Sequence, residues 1–423
     1  MYRQHTVCRA CGLGKGQSPT LKVSTAAGAL YDSGLRLIEV FDLGVQPLAN
    51  DFVGADDERA GFAPLKVLYC PQCKLGQLSV DVSPRILYAD NYAYVTSDSA
   101  TMRAHFSLMN EGLKKECKNP TTVVEIGSND GRLLEFMLGN GWKTALGIDP
   151  AQNLAKAAQA KGIETLCQYF CEASAQTARK CVGAPDLILA RHCLCHINDW
   201  AGFVKGLEAL AGNDTVIAIE VPWAQDMLDK NEFDTVYHEH TSYLSLRSIE
   251  LLLNGSTLGL SDVWHYDIHG GAVMLIIKKK GFNTARATLA LSKETISLEK
   301  WRKFASVSEV KIMQLSAMVR NFAAEGKSVV GYGASAKSTV WVNACGFDRS
   351  HIRFITDTTK GKWYKLSPGT DIPIVDEGAL VREMPDYAVC FAWNYFPEIY
   401  EKEKLFREKG GKWIVPVPEI SVV

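Results

Sequence analysis

Apolar and polar positions change rhythm three times along the chain. Up to about residue 80, short apolar stretches alternate with polar positions, as in Leu35-Arg36-Leu37-Ile38-Glu39-Val40. That is the period of strands with one buried face. From about residue 120, apolar runs alternate with helical segments. Thr122–Ile126 predicts a buried strand, residues 132–138 a helix and residues 145–149 a second strand. Residues 186–190 and 215–220 predict two more. That succession predicts a parallel α/β sheet. Residues 283–325 carry no strand signal. Their apolar positions, among them Trp301, Phe304, Val307, Val310, Ile312, Leu315 and Val319, recur at helical spacing and predict long linking helices. A second α/β unit begins at 328–333, with further strands at 352–356, Tyr387–Cys390 and 413–415. The sequence displays no internal repeat.

Composition narrows the picture. The chain has 423 residues, enough for two or three domains at about 150 residues each. Lys and Arg total 46 against 47 Asp and Glu, a formal net charge of −1. Such a balance gives no electrostatic grip on nucleic acid or an anionic membrane. No apolar run approaches the ~20 residues that span a bilayer. The start, MYRQHTVCRACG, lacks the apolar core of a signal peptide, so a cytoplasmic protein is expected.

Twelve cysteines remain to be explained. Cys8 and Cys11 form one C-x-x-C, and Cys70 and Cys73 form another. Two intervening residues let a tight knuckle aim both sulfurs at one ion, and two knuckles complete a tetrahedral zinc site. All four positions are then filled by protein, so the zinc is expected to be structural. The gap between the pairs requires intervening strands to return the chain. The other eight cysteines are expected to be small buried hydrophobes.

Two glycine loops follow strands. Glu125-x-Gly127-x-Asn129-x-Gly131 matches neither the dinucleotide fingerprint G-x-G-x-x-G nor the phosphate cradle G-x-x-x-x-G-K. An acid ending the next strand, Asp149, suits S-adenosylmethionine better. Asp149 is expected to hold the ribose hydroxyls, and Asp130 to lie near the cationic methionine end. In the second loop, Gly331-Tyr332-Gly333-Ala334-Ser335-Ala336-Lys337-Ser338, a lysine at a helix start suits a phosphate.

Tyr237-His238-Glu239-His240 is the densest polar constellation. Its histidines lack the i,i+4 spacing of a zinc peptidase helix. A histidine beside a carboxylate and a phenol suits general-base work near neutral pH. His196 is expected just beyond the carboxyl end of a sheet strand, where open α/β sheets bind ligands. Tyr92 and Tyr94 are candidates for the same pocket.

Together these residues resemble the nucleotide-sugar C-methyltransferases of branched deoxysugar biosynthesis. The resemblance covers nearly the whole chain. It runs through both C-x-x-C pairs, Gln46-Pro47-Leu48-Ala49-Asn50, the loop from Val124 to Gly131, Glu220-Val221-Pro222, Tyr237-His238-Glu239-His240, His269-Gly270-Gly271, the second glycine loop and Ala392-Trp393-Asn394. It implies an α/β protein with a zinc-binding unit over 1–85, a Rossmann-like S-adenosylmethionine unit over 86–282, and linking helices with a second Rossmann-like unit over 283–423. The last would help bind the nucleotide sugar. The implied reaction is methylation at C3 of a dTDP- or GDP-linked 4-keto-6-deoxyhexose, by a monomer or weak homodimer.

On that reading His240 is the base, oriented by Glu239, while His196 and Tyr237 donate to the enolate oxygen with help from Tyr92. Glu125, Gly127, Ser128, Asn129, Asp130, Gly131, Asp149 and Pro150 are expected around the cofactor. Tyr94, His238, His269, Tyr332, Gly333, Lys337 and Ser338 are expected around the sugar nucleotide. A small-molecule O- or N-methyltransferase, a NAD-dependent oxidoreductase and a non-catalytic scaffold are the rival readings.

Overall fold

The computed structural model describes residues 2–13, 36–88, 92, 95, 99–279 and 283–423. The alternating N-terminal stretch forms β1 (Tyr2–Gln4), β2 (Ile38–Pro47), β3 (Phe62–Tyr69), β4 (Gly76–Leu78) and β5 (Val80–Val82). β2, β3 and β4 are antiparallel neighbours, and β1 pairs with β5. Along β3 every second side chain is buried, which is the pattern of a sheet covered on one face.

The central unit contains β6 (Thr122–Ile126), β7 (Thr144–Ile148), β8 (Thr165–Leu166), β9 (Leu187–Arg191) and β10 (Val216–Pro222). β11 (Ser242–Tyr243), β12 (Leu258–Tyr266) and β13 (Ala272–Lys279) follow. Its seven-stranded sheet has the order β12-β13-β10-β9-β6-β7-β8. β6 to β10 are mutually parallel, and β13 runs antiparallel to both neighbours. Residues such as Ile188, Leu189, Ala190 and Ala218 are fully buried, as strands covered by helices on both faces require. The predicted strands fall within a residue or two of those observed, whereas β12 and β13 were not predicted.

β11 leaves this sheet. It pairs antiparallel with β4, Ser242 opposite Gln77 and Tyr243 opposite Gly76, so the segment after His240 becomes part of the N-terminal sheet.

The linking region is two helices, Ala285–Lys293 and Leu298–Ala324. The longer one buries Trp301, Phe304, Ser308, Lys311, Leu315 and Val319. Val310, expected on that face, is 45% exposed, because the buried stripe runs from Ser308 to Lys311 and skips it. Beyond it lie β14 (Val329–Tyr332), β15 (Ile355–Asp357), β16 (Ile374–Asp376), β17 (Tyr387–Cys390), β18 (Lys412–Val415) and β19 (Ser421–Val422). Their order, β16-β15-β14-β17-β18-β19, is the doubly wound arrangement, whose crevice lies at the carboxyl ends of its central strands. Among the described residues no helix is long and apolar enough to cross a membrane.

Trp301 joins the linking helix to the N-terminal sheet. It is fully buried, with its ring edge-on to Tyr243 and Phe304. A Cβ on Gly76 would come within 2.5 Å of that ring, so the glycine gives the indole its seat. Trp301→Ala is expected to cost about 3–5 kcal/mol of stability, read as a lower urea midpoint.

Candidate active site

The four paired cysteines converge. Their sulfurs all lie within 4.8 Å of one another, with Cys8 Sγ 3.4 Å from Cys73 Sγ and Cys11 Sγ 3.6 Å from Cys70 Sγ. A tetrahedron with zinc–sulfur bonds of 2.3 Å has edges of about 3.8 Å, so the set fits Zn²⁺. The two knuckles are alike. Gly12 N–H donates to the Cys8 carbonyl and Lys74 N–H to the Cys70 carbonyl, both at 2.9 Å, and both residues have positive φ. Ser245 Oγ donates to the Cys73 carbonyl at 2.7 Å, which anchors the chain just after β11 to the second knuckle. Of the other eight cysteines, Cys117, Cys195, Cys345 and Cys390 are buried as expected. Cys193 is half-buried. Cys167, Cys171 and Cys181 are exposed, contrary to expectation: Cys171 caps and Cys181 lies on a helix with an exposed face, Glu172–Val182, and Cys167 stands in the segment before it.

A cavity of about 1150 Å³ opens between the carboxyl edges of the two α/β sheets. One wall is the first glycine loop. Gly127 has φ 70°, and a Cβ there would fall 2.9 Å from Cys193, so only glycine lets the loop close over that residue. Glu125, Ser128, Asn129, Asp149 and Pro150 line this wall. Asp149 accepts from the backbone N–H of Asn129 at 2.8 Å and of Ala151 at 2.9 Å, which latches the loop to the next strand. Glu125 Oε2 is buried without a partner, and desolvation raises that carboxyl to about 8. Asp130 does not line the cavity and instead bonds Lys161 Nζ at 2.6 Å. Gly131, also away from it, starts a helix at φ 74° where a Cβ would meet Ala158. A buried acceptor, a latched acid and a glycine turn at a strand end suit the amine, ribose and close backbone approach of S-adenosylmethionine.

The opposite wall repeats the latch. Gly333, φ 91°, follows β14, and Asp357 accepts from Ala334 N–H and Thr359 N–H, both at 2.7 Å. Lys337 Nζ lies 4.6 Å from the centre of the Trp393 ring and bonds Thr235 Oγ1 at 3.0 Å and Asp234 Oδ1 at 3.4 Å. Its charge is therefore already balanced by a carboxylate. Tyr332 borders the cavity, yet its hydroxyl donates to Glu403 at 2.9 Å. Ser338 is fully buried, donating to the Ser335 carbonyl, and does not line the cavity. The sequence reading passed over Lys362, which lines the cavity and donates to the Ala334 carbonyl at 2.7 Å.

Tyr237, Glu239, His240 and His196 meet on the cavity floor. His240 Nδ1 faces the Thr235 carbonyl at 2.8 Å, and Nε2 lies 2.7 Å from Tyr237 Oη. A carbonyl accepts only, so Nδ1 carries the proton and Nε2 is the basic nitrogen, receiving the Tyr237 hydroxyl. Thr235 and Tyr237 thus orient His240. The expected orienting role of Glu239 is corrected, because its carboxylate accepts instead from Asn50 Nδ2 at 2.7 Å and Tyr92 Oη at 2.9 Å. Burial raises Glu239 to about 7.

His196 lies ring to ring 5.0 Å from His240, with Nδ1 3.2 Å from Tyr88 Oη. Desolvation lowers His196 to about 3 and holds His240 well below its ordinary value, so both imidazoles are neutral at pH 7. Tyr88 escaped the sequence reading, although it stands four residues before Tyr92.

His238 turns the other way: it is buried, with Nε2 3.1 Å from the Ala63 carbonyl, and does not border the cavity. It sits inside a tight turn closed by His240 N–H donating to the Tyr237 carbonyl at 2.9 Å. His269 does border it, with Nδ1 3.3 Å from Tyr395 Oη. Beside it, Glu220 is fully buried among His105, His192 and Arg191. Burial pushes its carboxyl up, but the charges of Arg191 and His192 and the bonds from His105 and His192 outweigh that and hold it well below the ordinary range. Tyr94 lies outside the described residues.

The central sheet, with its latched glycine loop and cavity at the carboxyl edge, defines an S-adenosylmethionine-dependent methyltransferase. Family models agree along the chain. Residues 33–88 match a model described as "Putative zinc binding domain", 102–260 a methyltransferase domain, and 267–418 a C-methyltransferase C-terminal domain. The chain is 35% identical to the C-methyltransferase NovU of Streptomyces niveus over 400 residues, covering 91% of this chain and 94% of that one, and it belongs to the C-methyltransferase family. Some solved structures resemble it over less than half of its length. A methyltransferase from Anabaena variabilis is 14% identical (45% of this chain, 89% of that one, TM-score 0.37). The plantazolicin methyltransferase BpumL with bound SAH is 15% identical (43% and 91%, TM-score 0.32).

Cys73→Ser is expected to drop the zinc content from about one ion per chain to near zero and to lower the melting temperature, measured by elemental analysis and thermal unfolding. Glu125 is raised from 4.5 to about 8 on folding, so its contribution to the stability of the ligand-free protein falls as pH rises through that window. Glu125→Gln is expected to flatten the loss of melting temperature between about pH 5 and 8.

Proposed function

We propose that this methyltransferase acts on C3 of a nucleotide-linked 4-keto-6-deoxyhexose, carried by dTDP or GDP, in the cytoplasm and as a monomer or weak homodimer. Neither nucleic acid nor membrane is a partner. The N-terminal (1–85), central (86–282) and C-terminal (283–423) units would serve for zinc, methyl donor and nucleotide sugar respectively. One observation carries the reading. On the floor between two nucleotide-type loops, His240 has its Nδ1 proton fixed on the Thr235 carbonyl and its basic Nε2 coupled to Tyr237. An O-methyltransferase would use such a base on a hydroxyl, so proton exchange at carbon is what separates the two readings.

A 4-keto group acidifies the C3 hydrogen because the electron pair left behind delocalises onto the carbonyl oxygen. The C3 proton passes through the Tyr237 hydroxyl to His240 Nε2, and the Nδ1–H bond to Thr235 stabilises the imidazolium formed. His196, neutral and held at Nδ1 against Tyr88 Oη, would in its Nε2–H tautomer donate to the oxygen as charge develops there. Glu239, with Asn50 and Tyr92, fixes the wall beside the base. S-adenosylmethionine supplies the methyl group as an electrophile on a sulfonium sulfur. The latched acids Asp149 and Asp357 hold the two nucleosides on opposite walls, so the reacting carbons meet over the histidines.

One mass-spectrometric assay in D₂O tests both substrate and base. With dTDP- or GDP-4-keto-6-deoxyhexose, the wild-type protein is expected to incorporate deuterium at C3 and, with the methyl donor, to add one methyl group. His240→Asn is expected to lose ~100-fold or more of both. Methylation without exchange, or exchange at the wild-type rate in His240→Asn, overturns the mechanism.

A further inference from the structure

Glu232 is an acid that the reaction above does not use. It borders the main cavity, is 4% exposed, and its Oε1 meets no hydrogen-bond partner. It has been given a seat. The carboxylate lies against His269-Gly270-Gly271, where a Cβ on Gly270 would come within 2.3 Å of Oε2, and Gly270 has φ 98°. Gly271, φ 138°, makes the same allowance for Asp226. Gly270, in left-handed backbone, thus makes room for a carboxyl whose Oε1 no protein group completes. A buried acceptor without a donor costs stability, and such a group is retained where a ligand completes it.

The surrounding charges decide which ligand. Lys337, Lys230 and Lys311 act on Glu232 from three elements, opposed by Asp234 and Asp226. Each lysine already donates elsewhere: Lys337 to Asp234 and Thr235, Lys230 to the Gly270 carbonyl, Lys311 to the Pro418 carbonyl. Neither Lys230 nor Lys311 lines the cavity, and Lys337, which does, is paired with Asp234, so a phosphate at this corner would face the acceptor Oε1 of Glu232 with acceptors of its own. A group that donates hydrogen bonds is matched. Glu232 also stands three residues before Thr235, the residue that orients the base, on the floor where a sugar ring would lie.

We propose that Glu232 is a substrate-contacting, specificity-determining residue that accepts a hydrogen bond from a hydroxyl or amino substituent of the sugar ring. The inference rests on the nucleotide-sugar reading of the cavity. Desolvation raises the free carboxyl to about 7, so a donor on the substrate favours its ionised form and the two strengthen each other.

Calorimetry on the SAH-saturated protein tests it, with dTDP-glucose and GDP-mannose as probes and free dTDP and GDP as controls. Glu232→Ala is expected to weaken binding of the sugar nucleotide that the wild type prefers by ~10- to 100-fold, leaving the free nucleotide and SAH unaffected. Glu232→Gln, which keeps an acceptor without the charge, should fall between. It should also melt no lower than wild type at pH 8, because it removes a buried carboxylate that has no partner. An amino-sugar nucleotide run beside dTDP-glucose identifies the donor: the larger loss marks whether amine or hydroxyl is read. Equal loss for nucleotide and sugar nucleotide, or no loss, overturns the role of Glu232 while leaving the proposed substrate class standing. A wild-type protein that binds SAH and neither sugar nucleotide overturns both.

Discussion

The buried carboxylate of Asp234 is the constraint on which the site depends. It is fully buried and accepts from two indoles of the C-terminal unit, Trp393 Nε1 at 2.7 Å and Trp341 Nε1 at 3.0 Å, with Lys337 at 3.4 Å. A charge buried this deeply is tolerable only while its partners hold it, so residues 233–235 cannot move without the C-terminal unit. A few residues on, His238 is tied to Ala63, Asn50 reaches Glu239, and β11 joins the N-terminal sheet through β4. Seven residues, 234–240, are therefore clamped by both flanking units, and the His240 imidazole inherits its orientation from that clamp.

This explains what the zinc site is for. It lies away from the cavity, but its second knuckle accepts Ser245 and its sheet accepts β11, so a bound ion would stiffen the scaffold that positions His240. Rigid support of this sort matters because a misplaced base loses rate steeply with distance. The cavity itself follows from topology. Two open parallel sheets each leave a crevice at the carboxyl ends of their strands, and here the crevices face one another.

Much of the fold was legible because its signals are local. Thr122–Ile126 and Tyr387–Cys390 are strands to the residue, since buried parallel strands read as short apolar runs between turns. β13 carries an equal apolar signal, Ala272-Val273-Met274-Leu275-Ile276-Ile277, but it and the more polar β12 pair directly and so break the strand–helix alternation. Of the repeated latch, the sequence shows Asp149 as an acid ending a strand but not its counterpart Asp357. The latch requires an acid after one strand and a glycine turn after another, with few other residues in common.

By itself the sequence determined the chemistry available: four thiols at knuckle spacing, two glycine turns after strands, and a phenol, a carboxylate and two imidazoles within four residues. Spacing along a chain fixes these because knuckles and turns close within a few bonds. Tertiary structure decided how each group is used. It matched Glu239 to Asn50 and Tyr92 instead of His240, turned His238 and Asp130 away from the cavity, and brought in Tyr88, Lys362 and Glu232 from segments with no motif. Hydrogen-bond partners tens to hundreds of residues apart are chosen by packing, and burial then sets each group's proton affinity.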